Sequence, residues 1–368
     1  MKKTLSIFLF LIFAAGTLTG HAEEYYTIQQ VRKQAATGWH QSYTAHGRDV
    51  AVDIDLPTPD VDTIPVVKAE FAKIIPSFTT EETGWKIVCR VEDNVFAYET
   101  QTYPEPISGK INKVPEAVYS NPREFDKAYP SGTDLTLGEA IDIIRTTFVP
   151  ARLNASEYQF DRPYELRVFG FYDAKTNKPI LPGEYYLSFY QLLNGIPILC
   201  HSGRAYKERG DFYYDPRLAA VITGADAYAV IFDKITSVGT IANDVPLCAV
   251  SKIISAIEAE IMDGHIRKIY ELELGYVLYG DPEYAGSVDI LGHYYAVPAW
   301  RLNCLYLSNA KTEIHDYEGT DVFERDITEF ASIIIDAQTG KMQDYMSSAK
   351  DRGIYKGFIS WEDAAQKK

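Results

Sequence analysis

One stretch near the end of the chain limits what it can fold into: Phe330 to Met346, FASIIIDAQTGKMQDYM. Ala331 to Ile335 is apolar and β-branched, the composition of a buried strand. Asp336 to Lys341 reads as a turn, because Gly340 takes positive φ at no steric cost and Asp336 can bond its own backbone. Met342 to Met346 then resumes as a strand. The device recurs. Asp173-Ala-Lys-Thr-Asn177-Lys178 matches the turn Asp336-Ala-Gln-Thr-Gly340-Lys341, with Asn in the glycine position. Asn194-Gly195 joins Glu184–Leu193 to Ile196–His201, and Thr223–Asp226 joins Arg217–Ile222 to Tyr228–Phe232.

Two amphipathic helices organise these hairpins. Thr136 to Phe148 carries Leu137, Ala140, Ile141, Ile144 and Phe148 on one stripe, with Glu139 in the first turn where the helix dipole favours an acid. Pro246 to Met262 carries Val250, Ile253, Ile254, Ile257 and Ile261, each 113 residues after its counterpart. Strands follow both: Tyr164–Tyr172 in the first copy, then Ile266–Tyr279, Val297–Leu307 and Ala331–Ile335 in the second. At the same offset Leu187 matches Trp300, Phe189 matches Leu302, and Ala220–Ile222 matches Ile333–Ile335, which predicts an internal duplication. Upstream, Glu23–Ala36 reads as a lead-in helix, and Arg48–Leu56, Val66–Ile75, Trp85–Val91 and Val95–Thr100 as strands; residues 101–133 read as a long surface connection. The expected fold is α+β: tandem modules, each a helix on an antiparallel sheet of about four strands, preceded by a small β-rich N-terminal region. The expected boundaries are a signal peptide at 1–22, the β-rich region at 23–133, modules at 134–240 and 241–346, and a tail at 347–368. In that tail Ser360 can cap a short helix.

Lys2 and Lys3, the apolar run Leu5–Ala15 and Gly20-His21-Ala22 make a leader with a cleavage site after Ala22, so export is expected. His21 stands where a lipidated cysteine would be, so no lipid anchor is expected. Cleavage takes the net charge from −15 to −17, a balance that repels nucleic acid and anionic lipid. No transmembrane span is expected in the mature chain. Cys89, Cys200, Cys248 and Cys304 fit no metal spacing; they are either disulfide-forming or buried small hydrophobes.

Tyr190-Gln191 with Asn194-Gly195-Ile196-Pro197-Ile198 looks like the strand–turn–strand of thermolysin-type propeptides. Ala331–Tyr345, with its Asp336–Lys341 turn, resembles the closing hairpin of PepSY domains. Residues 40–346 resemble an uncharacterised family of clostridial (Firmicutes) secreted lipoproteins. The resemblance implies PepSY-like modules with a non-catalytic role outside the cell, such as restraining a protease or tuning an envelope sensor, and it carries over no catalytic residue.

The residues that could carry chemistry form only loose groups. His293, Tyr294, Tyr295 and His315 lie in the second copy. Asp281, Glu283 and Asp289 form one acidic cluster, and Asp316, Glu318 and Asp321 another; either could hold calcium, or be solvated loop. Cys200 and His201 are adjacent on a strand and point to opposite faces. There is no HExxH and no G-x-S-x-G. No residue is assigned a catalytic, cofactor-binding or metal-binding role, and no cofactor is expected. The expected function is that of an exported non-enzymatic protein at the cell envelope, binding another envelope or secreted protein. The alternatives are a secreted hydrolase on an unfamiliar scaffold and a sugar- or ligand-binding envelope component.

Overall fold

The computed structural model describes residues 24–72, 85–91, 95–100, 111–119, 135–148, 155–173, 176, 178–199, 217–223, 226–232, 234–284, 293–315, 322–342 and 356–366. The leader expected at 1–22 lies outside them. The chain opens with β1 (Tyr25–Tyr26) and α1 (Ile28–Ala35), which Thr27 starts as a capping box with Gln30. The hairpin β2 (Trp39–Ala45) and β3 (Arg48–Ile54) follows, then β4 (Val66–Phe71), β5 (Trp85–Val91), β6 (Val95–Thr100) and β7 (Ile111–Tyr119). Helix α2 (Leu137–Phe148) leads to β8 (Glu165–Asp173), β9 (Pro179–Tyr190), and the short pair β10 (Leu192–Leu193) and β11 (Ile196–Pro197). Next come β12 (Arg217–Thr223), β13 (Asp226–Phe232), β14 (Ile235–Ala242) and β15 (Leu247–Cys248). Helix α3 (Val250–Met262) precedes β16 (Ile266–Gly280), β17 (His293–His315) and β18 (Val322–Asp336), and α4 (Trp361–Gln366) is the last described element.

Two large antiparallel sheets dominate. Seven strands run in the order β5-β6-β13-β12-β9-β8-β7. Five strands make the second sheet, in which β17 pairs β16 along one edge. Its other edge is shared between β18, from Ala299 to His315, and β4, from His293 to Ala296, with β14 beyond β4. This corrects the expected fold: the protein is mostly β-sheet and is not a tandem of helix-on-sheet modules behind a separate N-terminal region. The N-terminal strands are woven into both large sheets. β6 pairs β13, β7 pairs β8, and β4 pairs both β14 and β17. An edge hydrogen-bonds to whichever strand is brought to it, and a periodicity reading registers no partner more than a hairpin away. The stretch 101–133, expected as connection, contains β7; its Pro115 sits at a register shift on the sheet's outer strand, where a missing N–H is tolerated.

A register recurs between the two sheets. Leu166 pairs Leu187, which pairs Ala220. Leu272 pairs Leu302, which pairs Ile333. All six side chains are buried. The first row packs with Ala140 and Ile144 of α2, and the second shares a core with Ile253 and Ile257 of α3. Thus Leu187 corresponds to Leu302, two residues on from the Trp300 expected at the 113-residue offset. A shift of two keeps every side chain on its face, which is why the sequence pattern tolerates either alignment.

The larger core gathers α1, β2–β4, α3 and the helix-facing sides of β16–β18. The turn Asp336–Lys341 has the expected chemistry. Asp336 Oδ1 accepts from the Gln338 and Thr339 amides at 3.0 and 2.7 Å, and Gly340 takes φ +69°. Met342 bridges Ile335; the rest of the expected return strand, 343–346, lies outside the described residues. No helix among the described residues is long and apolar enough to cross a membrane. Ile257 is fully buried at the centre of the α3 stripe, so Ile257→Ala is expected to cost about 2–5 kcal/mol of stability in urea unfolding.

Candidate functional site

Helix α3 covers one side of β16–β18, and side chains alternate along each strand, so every second residue faces away from it. On that side stand Glu271, Glu273, Gly275 and Val277 of β16, Arg301 and Asn303 of β17, and Ser332 and Ile334 of β18. Their neighbours are the segment entering β8, the end of β9 and residues 197–199. Arg162 and Tyr164, from the segment entering β8, and Tyr190, the last residue of β9, close over them.

The result is a buried charge cluster between the sheets. Arg162 donates through Nη2 to Glu271 and through Nη1 to Glu273 Oε1 at 3.2 Å. Arg301 Nη2 donates to Glu271 Oε2 at 2.8 Å and stands 3.7 Å from Glu273 Oε2. Asn303 Nδ2 also donates to Glu271 Oε2 (2.9 Å), and Ser332 Oγ donates to Asn303 Oδ1 (2.7 Å). The Glu271, Glu273 and Arg301 side chains are 2–3% exposed, whereas that of Arg162 is 22% exposed. Tyr164 and Tyr190 stack with centroids 4.2 Å apart, and the Arg301 guanidinium lies 4.9 Å from the Tyr190 ring centre.

Burial pushes Glu271 up to about 8, helped by the Glu273 charge and opposed by Arg162 and Asn303. Burial also raises Glu273, against the pull of Arg162. Burial pulls Arg301 down to about 9. Burial works against the Arg162 charge too, but Glu273 and Glu271 more than offset it, and its pKa ends above the ordinary arginine value. The carboxylates are turned to guanidinium groups inside the protein and away from solvent, which makes the cluster a fastening between sheets.

Two further features join the sheets here. Leu199 N donates to Tyr276 O at 2.8 Å, and a Cβ on Gly275 would stand 2.5 Å from Pro197 O. Only glycine lets the 197–199 backbone come this close. Gln191, fully buried, uses its side-chain amide as a peptide unit: Nε2 donates to Ile235 O, and Oε1 accepts from Ile235 N at 2.8 Å. The turn between β10 and β11 has the expected positive φ at Asn194 (55°) and Gly195 (79°). It carries Leu193 and Ile196 into the larger core.

The sequence candidates fare differently. Asp281 and Glu283 do come together, around an ammonium: Lys68 Nζ lies 3.3 Å from Asp281 Oδ2 and 3.0 Å from Glu283 Oε2. These carboxylates, Glu283 first, raise the Lys68 pKa. His293 stacks on Tyr284 with centroids 4.0 Å apart, and its Nδ1 lies 3.1 Å from Glu70 Oε1. Tyr294 is buried, and Tyr295 lies under Lys68. The His315 and Cys89 side chains, Cys200, His201, Asp289, Asp316, Glu318 and Asp321 lie outside the described residues. Among the described residues no group of three or more His, Cys, Asp or Glu side chains is placed to hold a metal ion. Cys304 is a free, fully buried thiol, and Cys248 is buried in the same core. Burial pushes the Cys304 thiol up to about 12, the state of an inert packing residue. Arg162, Glu271, Glu273 and Arg301 were not among the candidates. Their signal is present in the strands, as polar residues alternating with Leu272, Leu274, Trp300 and Leu302, but it identifies a cluster only once the β16–β17 register is known.

No family model matches the chain, and no curated protein matches it. Among solved structures it is similar to an uncharacterised protein from Eubacterium rectale. The two share 11% identity at a TM-score of 0.51, over 88% of this chain and 99% of that one. At that identity the likeness concerns fold.

Removing one partner of a buried charge group strands the others in low dielectric. Arg162→Ala, which leaves two carboxylates to Arg301, is therefore expected to lower stability by about 3–5 kcal/mol. Arg145→Ala, which breaks a surface pair with Asp142, is expected to cost less than about 1 kcal/mol. Paired urea titrations check the contrast.

Proposed function

We propose that the protein is an exported, non-catalytic binding protein of the cell envelope, and that it takes an extended segment of a partner protein along the edge of β14. The observation that carries this reading is the exposed apolar character of that edge. Among the described strands β14 pairs with β4 alone, Gln191 takes the backbone of Ile235 at its start, and farther along Val238 and Ile241 are 50% and 39% exposed. β14 is ITSVGTIA, with no charged residue and no proline, the usual guards of a solvent-facing edge. Its two register shifts fall at Val238 and Ile241 and turn both side chains outward. A partner strand gains backbone hydrogen bonds from the edge and apolar contacts from these two side chains. The chain's net charge of −15 favours a neutral or basic segment.

Export is supported by the leader at residues 1–22, and a regulatory role at the envelope by the likeness of Tyr190–Ile198 and Ala331–Tyr345 to segments of non-catalytic extracellular modules. A hydrolase needs carboxyl groups that reach a substrate. The buried pair in this fold, Glu271 and Glu273, is turned inward to Arg162 and Arg301, which favours the binding reading.

A photoreactive side chain at Val238, in the mature protein in its native envelope, is expected to crosslink to one defined segment of one partner; the same group at Lys33, exposed on α1, is not. Val238→Lys is expected to reduce that capture at least about tenfold by placing a charge on the edge. Equal capture at both positions, or turnover on a substrate panel that is lost with Glu271→Gln, overturns the reading.

A further inference from the structure

We infer that Arg162, Glu271, Glu273 and Arg301 form a proton-operated latch that holds the seven-stranded sheet against the five-stranded one. The parts are divided between the two sides. Arg162 reaches over from the segment before β8, while Glu271 and Glu273 on β16 and Arg301 on β17 belong to the five-stranded sheet. The groups facing the carboxyl pair from each packed element are few. Asp161, Arg162 and Tyr164 come from the segment before β8, and Tyr190 from the end of β9. Asp55 lies after β3, Arg301 and Asn303 are on β17, and Ser332 is on β18. Asp55 and Asp161 are exposed; both favour the Arg162 charge, and Asp161 also raises Glu273.

The apolar cluster around the charges is small: Tyr190, Leu199, Val277, Ala299 and Ile334, with Tyr164 and Tyr279 at its margin, while Leu193, Ile196 and Ile198 of the linking segment pack in the larger core. The charges therefore weigh heavily on whether the seam stays shut. With one proton held by the carboxyl pair, Arg162 bridges the two groups while one negative charge is buried. When that proton leaves to water, both carboxylates and both guanidinium groups are ionised together, largely out of solvent. Their lost hydration, the larger part of the cost, is recovered when the seam parts and water enters.

The sign follows from linkage. The folded pair binds its proton more tightly than the unfolded chain does. Stability is therefore greatest toward the ordinary carboxylate range and is lost as pH rises through about 8. The latch is closed in mild acid and loosens in mild alkali.

Hydrogen exchange on the purified full chain reads the seam through the Leu199 amide, which crosses it to Tyr276 O. The Ile257 amide in α3 serves as the internal reference. Between about pH 6 and about pH 9, after correction for intrinsic exchange, Leu199 protection relative to Ile257 is expected to fall at least about tenfold in the native protein. In Glu271→Gln, which holds that position neutral, it is expected to change less than about twofold. Glu273→Gln gives the same comparison where Glu271→Gln fails to fold. Gly275→Ala, which pushes 197–199 away without touching a charge, is expected to lower Leu199 protection equally at both pH values and confirms that the amide reports the seam. A native ratio independent of pH, or an equal fall in the neutral variants, overturns the proposal.

Discussion

A β-strand has two faces, and a single helix can cover one. In β16–β18 that constraint sets much of the rest. The inner face takes α3 and a continuous apolar core. The outer face must meet water or another layer, and it meets the segment entering β8, the end of β9 and residues 197–199. Had the outer positions been apolar, the two sheets would join as one oily sandwich. Beside the apolar Val277, Ala299 and Ile334 they include Glu271, Glu273, Arg301, Asn303 and Ser332, so the join also runs through charges whose geometry has to be met in full. A buried ion group contributes little net stability compared with apolar packing but penalises every misalignment heavily. The seam is thus better suited to fixing how the sheets sit than to holding them with great strength.

Each flank of the seam is arranged around that demand. Gly275 removes the one side chain that would hold Leu199 and Pro197 off the sheet. Tyr164 and Tyr190 place aromatic faces toward the Arg301 guanidinium. The segment Tyr190–Leu199 is the linker itself. It begins in the seven-stranded sheet and ends with Leu193, Ile196 and Ile198 inside the other core.

Much of the local structure is legible in the sequence. Gly340 and Asp336 announce the closing turn, Asn194-Gly195 announces positive φ at two successive residues, and the stripes of α2 and α3 mark the sides that become buried. These signals lie within a few residues, where conformational preference and periodicity act. The sheets are less legible, because their membership is decided by pairings such as β6 with β13 and β4 with β17, whose partners are far apart in sequence. The same limit hides the site. Glu271 and Glu273 alternate with leucines as the solvated side of any amphipathic strand would, and nothing local marks Arg162, more than a hundred residues earlier, as their counter-charge. The recurring row of buried side chains shows it too: Leu187 aligns with Trp300 or Leu302 equally well until the hydrogen-bond register decides for Leu302.

Two glutamines give the molecule an unusual kind of joint. Gln191 grips the backbone of Ile235, and Gln338 grips that of Ile359, in each case giving an N–H to the carbonyl and taking one from the amide. A glutamine side chain ends in the same amide as the main chain, so each serves as a one-residue strand. Such a joint has a chemical weakness that an apolar contact lacks. Hydrolysis of either amide to a carboxylate would turn a donor into a second acceptor aimed at a carbonyl, and so would undo that attachment while leaving the apolar cores untouched.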